Sequence, residues 1–597
     1  MKNVRRLMGV AALAAASCAN AAGGWEQFHG THNNGRAEKG PDLRRYATPR
    51  FARGVEGVND MWGMDVCASG PVVMDGRIFC YGNSGCLSAF DESSGAKLWT
   101  ARVADGSMSG SWASPSASNG RVYIGSGGFL YCFDAAAGAT NWVCALTSAS
   151  GIPEVVNAAP TVAEGIGLCY QYTCDFGGAA RLHAVRIADG SLAWAQDVAG
   201  FGEGHVAYNP SLSLIYTTTD TGGGRIVALD AADGSAVWTS AGSFGVRCYG
   251  GVAFDAALGW VAAASDTGGG GSFGTLLVCD AADGSTVSRT AHLPSGNFTP
   301  AIGANGVIYG CGGDWSMDGP FVWAVNGLTG AMLWQSPEDE DYEMGCWGNW
   351  NASPVYAQDI GGGADAVYCT ASGMWASFIL GGEAFGMFDA ATGGLLASVP
   401  MCGGNAALAN GNLYFINWDS ELVAFGPQVH IVEAAHNGHG HISPSLRQGV
   451  AHGGDAAFTF TGIVADVLVD GLSIGATNAY TFANVQGSHT LSVVFTDPAT
   501  LGYAAWLGHY GLTPSDTLYD RWLIGLHPAS DATLTAFIAM RDGAPEITWA
   551  PDIRPLRKYT IRAKENLDGP GDWTDIEAPY AIPPNFRFFR VRVTELP

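Results

Sequence analysis

Short apolar segments alternate with turn residues along most of the chain, and one frame of such positions returns seven times. In this frame an apolar strand ends at Asp or Asn, Gly follows four residues later, and in five copies Trp comes four residues after the Gly, as in Ala89–Asp91 with Gly95 and Trp99. The Asp side chain can cap a turn, and Gly adopts backbone angles that other residues avoid. Each copy therefore predicts a β-hairpin. The predicted framework positions, with the first Trp of the chain, are Trp25, Asp91, Gly95, Trp99, Asp134, Gly138, Trp142, Gly190, Trp194, Asp230, Gly234, Trp238, Gly284, Gly330, Trp334 and Gly393.

A second pair of strands is predicted upstream of each hairpin, as in Ser114–Pro115 followed by residues 120–125. Four short strands in a repeat of this length are typical of a propeller blade. An eighth unit begins at Gly404 but has no Gly and Trp after its third strand. We expect residues 24–28, which carry a lone Trp, to supply the missing outer strand and close the ring. The pattern thus predicts an eight-bladed β-propeller over residues 22–427.

The repeat has a family resemblance that rests on two motifs. Residues Trp25 to Gly30 are Trp-Glu-Gln-Phe-His-Gly, and the repeats carry Asp-x-x-x-Gly-x-x-x-Trp. Together they resemble the pyrroloquinoline-quinone-like (PQQ-like) β-propeller superfamily over roughly two thirds of the chain. The resemblance implies that the Trp residues dock neighbouring blades. It implies a fold rather than a function, because the superfamily includes quinone enzymes, outer-membrane assembly scaffolds and propellers of unknown role.

The pattern changes after the propeller, but it stays that of an all-β protein. Residues 428–497 alternate apolar and polar positions between turns, which predicts a small β module that resembles bacterial repeat domains. Residues 498–597 carry Trp506 and Tyr510 and end in a strand. This segment resembles carboxy-terminal modules of surface-exposed bacterial proteins. We expect both β-rich modules to attach or space the propeller, and we assign them no chemistry.

Composition and charge narrow the range of partners. Glycine accounts for 85 of the 597 residues, and only 14% of residues are charged while 47% are hydrophobic, so the chain has many turns and enough apolar material for several cores. The formal net charge is -25. A surface this acidic repels phosphate backbones and anionic membranes, which excludes nucleic acid as an expected partner.

The amino end predicts export. Three basic residues precede the apolar run Leu7–Ser17, and the small residues Ala19–Ala21 offer a cleavage site, so residues 1–21 are predicted to be a signal peptide. Cleavage after Ala21 is preferred over acylation of Cys18, whose context only weakly resembles a lipoprotein box. No apolar stretch is long enough to predict a transmembrane segment. The expected location is extracellular, at the cell surface or periplasmic.

The cysteine count leaves pairing open. Thirteen of the fourteen cysteines follow Cys18, an odd number, so at least one has no partner within the mature chain. We assign Cys80, Cys169 and Cys369 to the same column of the repeat and expect them to be buried. The spacing of Cys169 and Cys174 suits a bridge across a hairpin, although sequence does not fix connectivity.

Three motifs invite a chemical interpretation, and each is better explained structurally. His436, His439 and His441 could bind zinc if their loop folded back, but a polar loop is favoured. Residues 337–343 are acidic but lack the spacing of a calcium loop. Residues 270–274 match Gly-x-Ser-x-Gly, yet no helical pattern follows them as a nucleophile elbow requires. We therefore predict no catalytic residue and no metal site.

The superfamily resemblance suggests one enzymatic alternative, a quinoprotein dehydrogenase. The resemblance would then imply pyrroloquinoline quinone stacked over a Trp, a calcium ion and a carboxylate base. No two cysteines are adjacent, so the vicinal disulfide of those enzymes is impossible, and no Cys-x-x-Cys-His is present for a haem. The sequence thus favours a protein that is not an enzyme and needs no cofactor.

The function predicted first is a secreted, non-catalytic propeller that binds a protein or polysaccharide through loops on its top face. Exposed aromatic residues on loops commonly anchor partners, so residues 347–350 and 374–375 are the expected contact positions. The alternative is an envelope assembly scaffold like the propeller lipoproteins of outer-membrane protein insertion. Acylation of Cys18 would favour that alternative, and the two additional modules count against it.

Overall fold

A computed structural model of the chain supplies the description that follows. It describes residues 24–30, 34–58, 69–82, 85–103, 113–147, 158–173, 179–199, 205–245, 250–265, 274–294, 298–312, 321–336, 353–370, 384–401, 403–417, 419–497, 507, 535–541, 544–550, 557–564, 574–576 and 588–595.

Eight antiparallel sheets of four strands form the propeller blades, and their innermost strands contact one another in a closed ring. Two short strands, β1 (Arg36–Ala37) and β2 (Phe51–Gly54), precede the first blade. From the centre outwards, blade one is β3 (Val72–Met74), β4 (Arg77–Gly82), β5 (Cys86–Asp91) and β6 (Lys97–Arg102), and blade two is β7 (Ser116–Ser118), β8 (Arg121–Ser126), β9 (Phe129–Asp134) and β10 (Thr140–Ala145). Blade three is β11 (Thr161–Ala163), β12 (Leu168–Thr173), β13 (Ala179–Arg186) and β14 (Leu192–Ala199), with the 3₁₀ turn Glu164–Ile166 after β11. Blade four is β15 (Ala207–Asn209), β16 (Leu214–Thr219), β17 (Arg225–Asp230) and β18 (Ala236–Thr239).

The remaining blades repeat the same order of strands. Blade five is β19 (Ala253–Asp255), β20 (Trp260–Ala264), β21 (Gly274–Asp280) and β22 (Thr286–Leu293), blade six is β23 (Ala301–Ile302), β24 (Val307–Gly312), β25 (Phe321–Asn326) and β26 (Met332–Gln335), blade seven is β27 (Val355–Ala357), β28 (Ala366–Thr370), β29 (Phe385–Asp389) and β30 (Leu395–Val399), and blade eight contains β31 (Ala407–Ala409), β32 (Asn412–Ile416) and β33 (Glu421–Phe425).

Neighbouring blades dock through the repeated Trp and Gly. A Cβ atom added to Gly138 would lie 2.6 Å from the Trp99 ring of the preceding blade, so only glycine leaves room for that ring. The Trp99 indole Nε1 also donates a hydrogen bond of 3.1 Å to the carbonyl of Ala135. Each Trp therefore fills the space above the Gly of the following blade. The same ring-on-glycine contact joins Trp142 to Gly190, Trp194 to Gly234, Trp238 to Gly284 and Trp334 to Gly393.

The ring closes differently from the sequence prediction. Strand β2 pairs with β33, with Phe51 opposite Ala424, and so supplies the outer strand of blade eight. Phe51 lies against Gly95, as the Trp residues do elsewhere. The assignment of residues 24–28 to this strand was wrong. Outer strands expose much of their surface to water, as β6 does, whereas Trp25 is 2% exposed and bridges to Val73 in the innermost strand of blade one.

The cysteine column needs a second correction. Cys80 lies opposite Ser88 and Cys369 opposite Gly386, at equivalent positions of their blades. Cys169 lies opposite Val185 and is two positions closer to its turn, so it belongs to a different column. All three cysteine side chains are buried in the blade cores, as predicted.

The chain divides into two compact units. The first contains the propeller up to Glu433 together with Pro444–Ala456 and Thr481–His489, and the second contains Ala434–Ser443, Ala457–Tyr480 and the chain from Thr490 onwards. The predicted domain boundaries at residues 427 and 497 stay predictions. The strands after the propeller are β34 (Val429–His436), β35 (His441–Ser443), β36 (Arg447–Ala451), β37 (Ala456–Thr461), β38 (Val464–Val469), β39 (Leu472–Gly475), β40 (Ala479–Phe482), β41 (His489–Phe495), β42 (Thr535–Arg541), β43 (Ala544–Ala550), β44 (Arg557–Lys564), β45 (Thr574–Ile576) and β46 (Phe588–Glu595).

The fold class predicted from the sequence is confirmed, since the described residues form a β-propeller followed by further β-sheets. In this described part, no helix is both long enough and apolar enough to cross a membrane.

Candidate functional site

Residues 24–30 and 34–37 lie in the centre of the propeller, where they contact the innermost strands of successive blades, and we call these two stretches the amino-terminal segment. The main chain of Trp25 exchanges hydrogen bonds of 2.9 and 2.8 Å with that of Val73 in blade one. The Gln27 side chain accepts a bond of 3.0 Å from the Val162 amide in blade three and donates one of 3.3 Å to the Val162 carbonyl. This segment of the chain thus enters the central channel and is held there by its main chain and by a polar side chain.

The next contacts of the segment involve two buried histidines, His29 in the segment itself and His205 in blade four. The Phe28 ring packs edge-on against His205 of blade four with 4.4 Å between ring centres, and the His29 ring nitrogen Nε2 lies 2.9 Å from the Pro354 carbonyl oxygen of blade seven. His205 shares a hydrogen bond of 3.1 Å with the hydroxyl of Thr299. Burial, and secondarily the nearby His29, hold the pKa of His205 well below its usual range, so this imidazole is neutral at physiological pH.

The segment then returns along blade seven. Strand β1 pairs in parallel with β27, and the Asn34 carbonyl accepts a hydrogen bond of 2.8 Å from the Ile302 amide in blade six. The Arg36 guanidinium forms an ion pair of 2.6 Å with Asp255 of blade five, whose side chain is fully buried. The N-terminal segment therefore contacts both halves of the ring.

The amino-terminal segment fills the channel and leaves little room for a planar cofactor among the described channel residues. Trp25, the aromatic residue of the amino-terminal motif, is 2% exposed, and Gly30 lies against its ring. Stacking of a quinone would require an open aromatic face, so Trp25 as placed does not fit pyrroloquinoline quinone. The described part of the chain also contains no group of three or more His, Cys, Asp or Glu side chains arranged to hold a metal ion. That the protein needs no cofactor stays a prediction.

A small acidic cavity lies beside the start of this segment, within the first compact unit. Its lining includes the carboxylates of Glu26, Asp75 and Glu92 and the side chains of Arg447 and Gln448. Glu92 is fully buried, and its Oε1 atom accepts a hydrogen bond of 3.0 Å from the Tyr414 hydroxyl. Its Oε2 atom and the Gln448 Nε2 atom have no hydrogen-bond partner among the described residues.

The three carboxylates of this cavity have raised pKa values. Burial, followed by the negative charges of Asp75 and Glu164, raises the pKa of Glu26 to about 7. Burial likewise raises the pKa of Asp75 and of Glu92. Glu26 can therefore hold a proton near neutral pH. The one hydroxyl of its lining, that of Ser445, donates a hydrogen bond of 2.7 Å to the Arg447 carbonyl, and the lining contains no histidine, so we derive no catalytic chemistry for this cavity.

Arg447 ties the chain after the propeller to blade one. Its guanidinium donates hydrogen bonds of 2.8 Å to the Asp75 carbonyl, 2.5 Å to the Gly76 carbonyl and 2.6 Å to the Asp91 carboxylate. A second carboxylate, that of Glu433, lies 3.3 Å away. Asp91 is a predicted framework residue, and the structure gives it this additional contact, which nothing in its local sequence indicated.

The three histidines considered as a zinc site have separate surroundings. His436 accepts a hydrogen bond of 3.0 Å from the Gly438 amide, His439 lies 3.8 Å from the carboxylate of Asp497, and His441 is exposed in β35. These contacts are those of a polar loop with short strands beside it.

Several sequence predictions fall on residues that are not described. They are the signal peptide at residues 1–21 with Cys18, the partner of Cys169 at position 174, the motif at residues 270–273, the acidic loop at 337–343 and the proposed contact positions 347–350 and 374–375.

The outer strands expose aliphatic side chains that the sequence analysis overlooked. In a sequence, an apolar residue beside Trp suggests a core position, but on the outermost strand of a blade one face meets water. Blade six has three exposed aliphatic side chains, Met332 and Leu333 in β26 and Leu328 in the turn before it, which we call the blade-six patch and which are 41%, 49% and 64% exposed. Other blades expose one each on their outer strands: Leu98, Val143, Leu192, Val237 and Leu395.

Comparison with known proteins finds matches in the propeller region. A family model described as outer membrane protein assembly factor BamB matches residues 56–219 and 222–373, which together are more than half of the chain. The outer membrane protein assembly factor BamB of Moranella endobia (strain PCIT) is 27% identical over 177 residues, which are 28% of this chain and 42% of that relative. The matched stretch thus spans less than half of the relative's own length.

Solved structures with the same architecture come from proteins of different activity. The quinohemoprotein alcohol dehydrogenase of Comamonas testosteroni is 14% identical with a TM-score of 0.50, covering 68% of this chain and 81% of that one. BamB of Moraxella catarrhalis is 19% identical with a TM-score of 0.45, covering 64% of this chain and 99% of that one. At such low identity the dehydrogenase structure supports the fold alone.

Proposed function

Because the chain belongs to the family described as outer membrane protein assembly factor BamB, which confirms its resemblance to PQQ-like β-propellers, we propose that it is a scaffold for the assembly of outer membrane proteins. In this role the propeller binds other proteins and performs no chemistry of its own. The proposal takes the alternative of the sequence analysis in preference to a general binder of proteins or polysaccharides. The observation that carries it is the family match over both halves of the propeller.

The filled channel supports a scaffold over an enzyme. Quinoprotein dehydrogenases need an open site for their cofactor, whereas residues 24–30 and 34–37 occupy the centre of this ring, where Trp25 is buried. Binding then takes place on the outside of the propeller. The charge of -25 keeps this surface away from nucleic acid and anionic lipid, and so favours protein partners.

The blade-six patch is the part of the described surface that we propose as a protein contact. Exposed aliphatic residues that are close together on a soluble protein commonly mark interaction sites. The location that fits this role is the cell envelope, reached by export through the predicted signal peptide.

The experiment that tests the proposal is deletion of the gene in the source bacterium, followed by measurement of folded outer membrane proteins through their heat-modifiable migration on gels. We expect their amount to fall and to be restored by the wild-type gene. A variant with Met332→Asp and Leu333→Asp should restore it less well, and Leu98→Asp in blade one is the matched control. Unchanged outer membrane proteins in the deletion strain would overturn the proposal.

A further inference from the structure

A pair of histidines lies just after the propeller, in the first compact unit. The Nε2 atom of His430 and the Nδ1 atom of His452 are 3.0 Å apart, and their ring centres are 5.3 Å apart at an angle of 52°. His430 is 8% exposed, while His452 is open to solvent. The pair therefore presents two imidazole nitrogens to one point that solutes can reach.

The main chain around the pair is firmly tied. The His452 amide donates a hydrogen bond of 2.7 Å to the Gln428 carbonyl, and the adjacent Gly453 amide donates one of 2.7 Å to the Val485 carbonyl. On the other side, the Ile431 amide donates a bond of 3.0 Å to the Ser488 hydroxyl. Three segments of the chain meet here, so the spacing of the two rings is set by the fold and not by one flexible loop.

A third histidine lies in the same neighbourhood. The His489 ring stacks on Phe482 with 4.9 Å between ring centres. Burial, then the charges of His452 and His489, lower the pKa of His430. Metal ions bind the neutral form of imidazole.

We propose that His430 and His452 bind one zinc ion, with water completing its coordination. Zinc accepts imidazole nitrogens at about 2.0–2.1 Å in a tetrahedral arrangement, in which two ligand atoms are about 3.3 Å apart. The observed separation of 3.0 Å is close to this value, and a small rotation of the solvent-facing His452 supplies the difference. Without metal, one nitrogen donates a hydrogen bond to the other. When zinc binds, the donor ring carries its proton on its other nitrogen, so that both facing nitrogens offer a lone pair to the ion.

The proposed ion would link β34, the first strand after the propeller, to the residue that follows β36. Ligands that bind only the folded state raise stability by mass action, so zinc should raise the melting temperature of the protein. This inference is independent of the proposed function, because it concerns residues outside the blades.

The test is a zinc titration of the mature, tag-free protein after removal of metal with a chelator, followed by isothermal calorimetry and by thermal melting with magnesium as the control ion. We expect one zinc ion per chain and a rise in melting temperature with zinc but not with magnesium. Binding should weaken as the pH falls below about 6.5, where imidazoles take up protons.

Two variants decide which histidines are responsible. His452→Gln should abolish the stoichiometric binding and lower the metal-free melting temperature only slightly, since the exposed side chain contributes one hydrogen bond, to His430. The matched control replaces His436, His439 and His441 by Gln together and should bind zinc as the wild type does. Loss of binding in the control, full binding by His452→Gln, or no binding by the wild type would each overturn the proposal.

Discussion

The blades and the amino-terminal segment are held in place by opposite kinds of contact. Five blades repeat one contact, a Trp ring on a glycine of the next blade. Blades three and four also share a Tyr hydroxyl that donates to a carbonyl of the next blade, at 2.7 Å from Tyr170 to Ala231 and at 2.9 Å from Tyr216 to Ala281. The amino-terminal segment, residues 24–30 and 34–37, instead makes a different contact with nearly every blade that it meets.

This difference separates two sources of stability. A repeated contact can be weak or missing in one blade, as at Ser288 where a Trp would stand, without loss of the architecture. The contacts of the amino-terminal segment have no second copy in the ring. We therefore expect single changes in the segment to act on the ring as a whole, and changes in a blade to act locally.

The largest effect is expected from Trp334→Ala in blade six. This ring is 8% exposed, its Nε1 donates a bond of 3.0 Å to Ala390, and it fills the space above Gly393. Loss of a buried Trp typically costs about 4 kcal/mol in the free energy of unfolding, which urea denaturation would measure. Leu333→Ala, on the exposed neighbour, should change stability by less than about 0.5 kcal/mol. Equal effects of the two changes would contradict the docking role.

A smaller but ring-wide effect is expected from Arg36→Met. The change leaves the buried carboxylate of Asp255 without its ion-pair partner, at a cost of about 3 kcal/mol. The double variant Arg36→Met with Asp255→Asn removes the charge as well and should regain part of the loss in the same urea measurement. If the double variant is no more stable than the single one, the pair does not anchor the segment.

The acidic cavity predicts a dependence of stability on pH. Because the pKa of Glu26 is about 7 in the folded protein and 4.5 for an ordinary Glu, the folded state binds more protons between these values, and stability falls as the pH rises through this window. Glu26→Gln should match the wild type below that window and exceed its stability by about 3 kcal/mol above it. Parallel pH profiles of the two proteins would show that Glu26 does not titrate in this way.

The smallest effect is expected in a single turn of the repeat. The Asp389 carboxylate accepts hydrogen bonds of 3.0 Å from the Ala391 amide and 2.8 Å from the Thr392 amide. Asp389→Ala should cost about 1 kcal/mol, because blade three forms the equivalent turn with Arg186 at this position. A loss as large as that of Trp334→Ala would mean that the turns, and not the rings, hold the blades together.

The propeller could be predicted because the same pattern of residues is repeated along the sequence. Asp, Gly and Trp return at constant spacing, and each spacing corresponds to one turn and one outer strand. The same rule misplaced Trp25, since a Trp in the repeat marks an outer strand while this one is buried in the centre. Cys169 was placed in the wrong column because an apolar context alone does not fix the register of a strand.

The candidate site was largely hidden from sequence reasoning. Glu26, Asp75, Glu92 and Arg447 come from distant parts of the chain and meet only in the folded protein. His430 and His452 are likewise 22 residues apart in the sequence and lack the spacing of a known metal motif. Side chains that converge through long-range topology leave no local pattern, which is why the framework was predictable and the cavity was not.

The closure of the ring by β2 has a consequence for how the molecule is made. Phe51 is synthesised among the first residues of the propeller, yet its partner Ala424 is among the last. Because a chain emerges from its amino end, this early strand and the channel segment before it stay without their partners until nearly the whole propeller has appeared. The ring can therefore close only after the last blade has been synthesised. A prematurely terminated chain would expose an open strand edge and an empty centre to proteases.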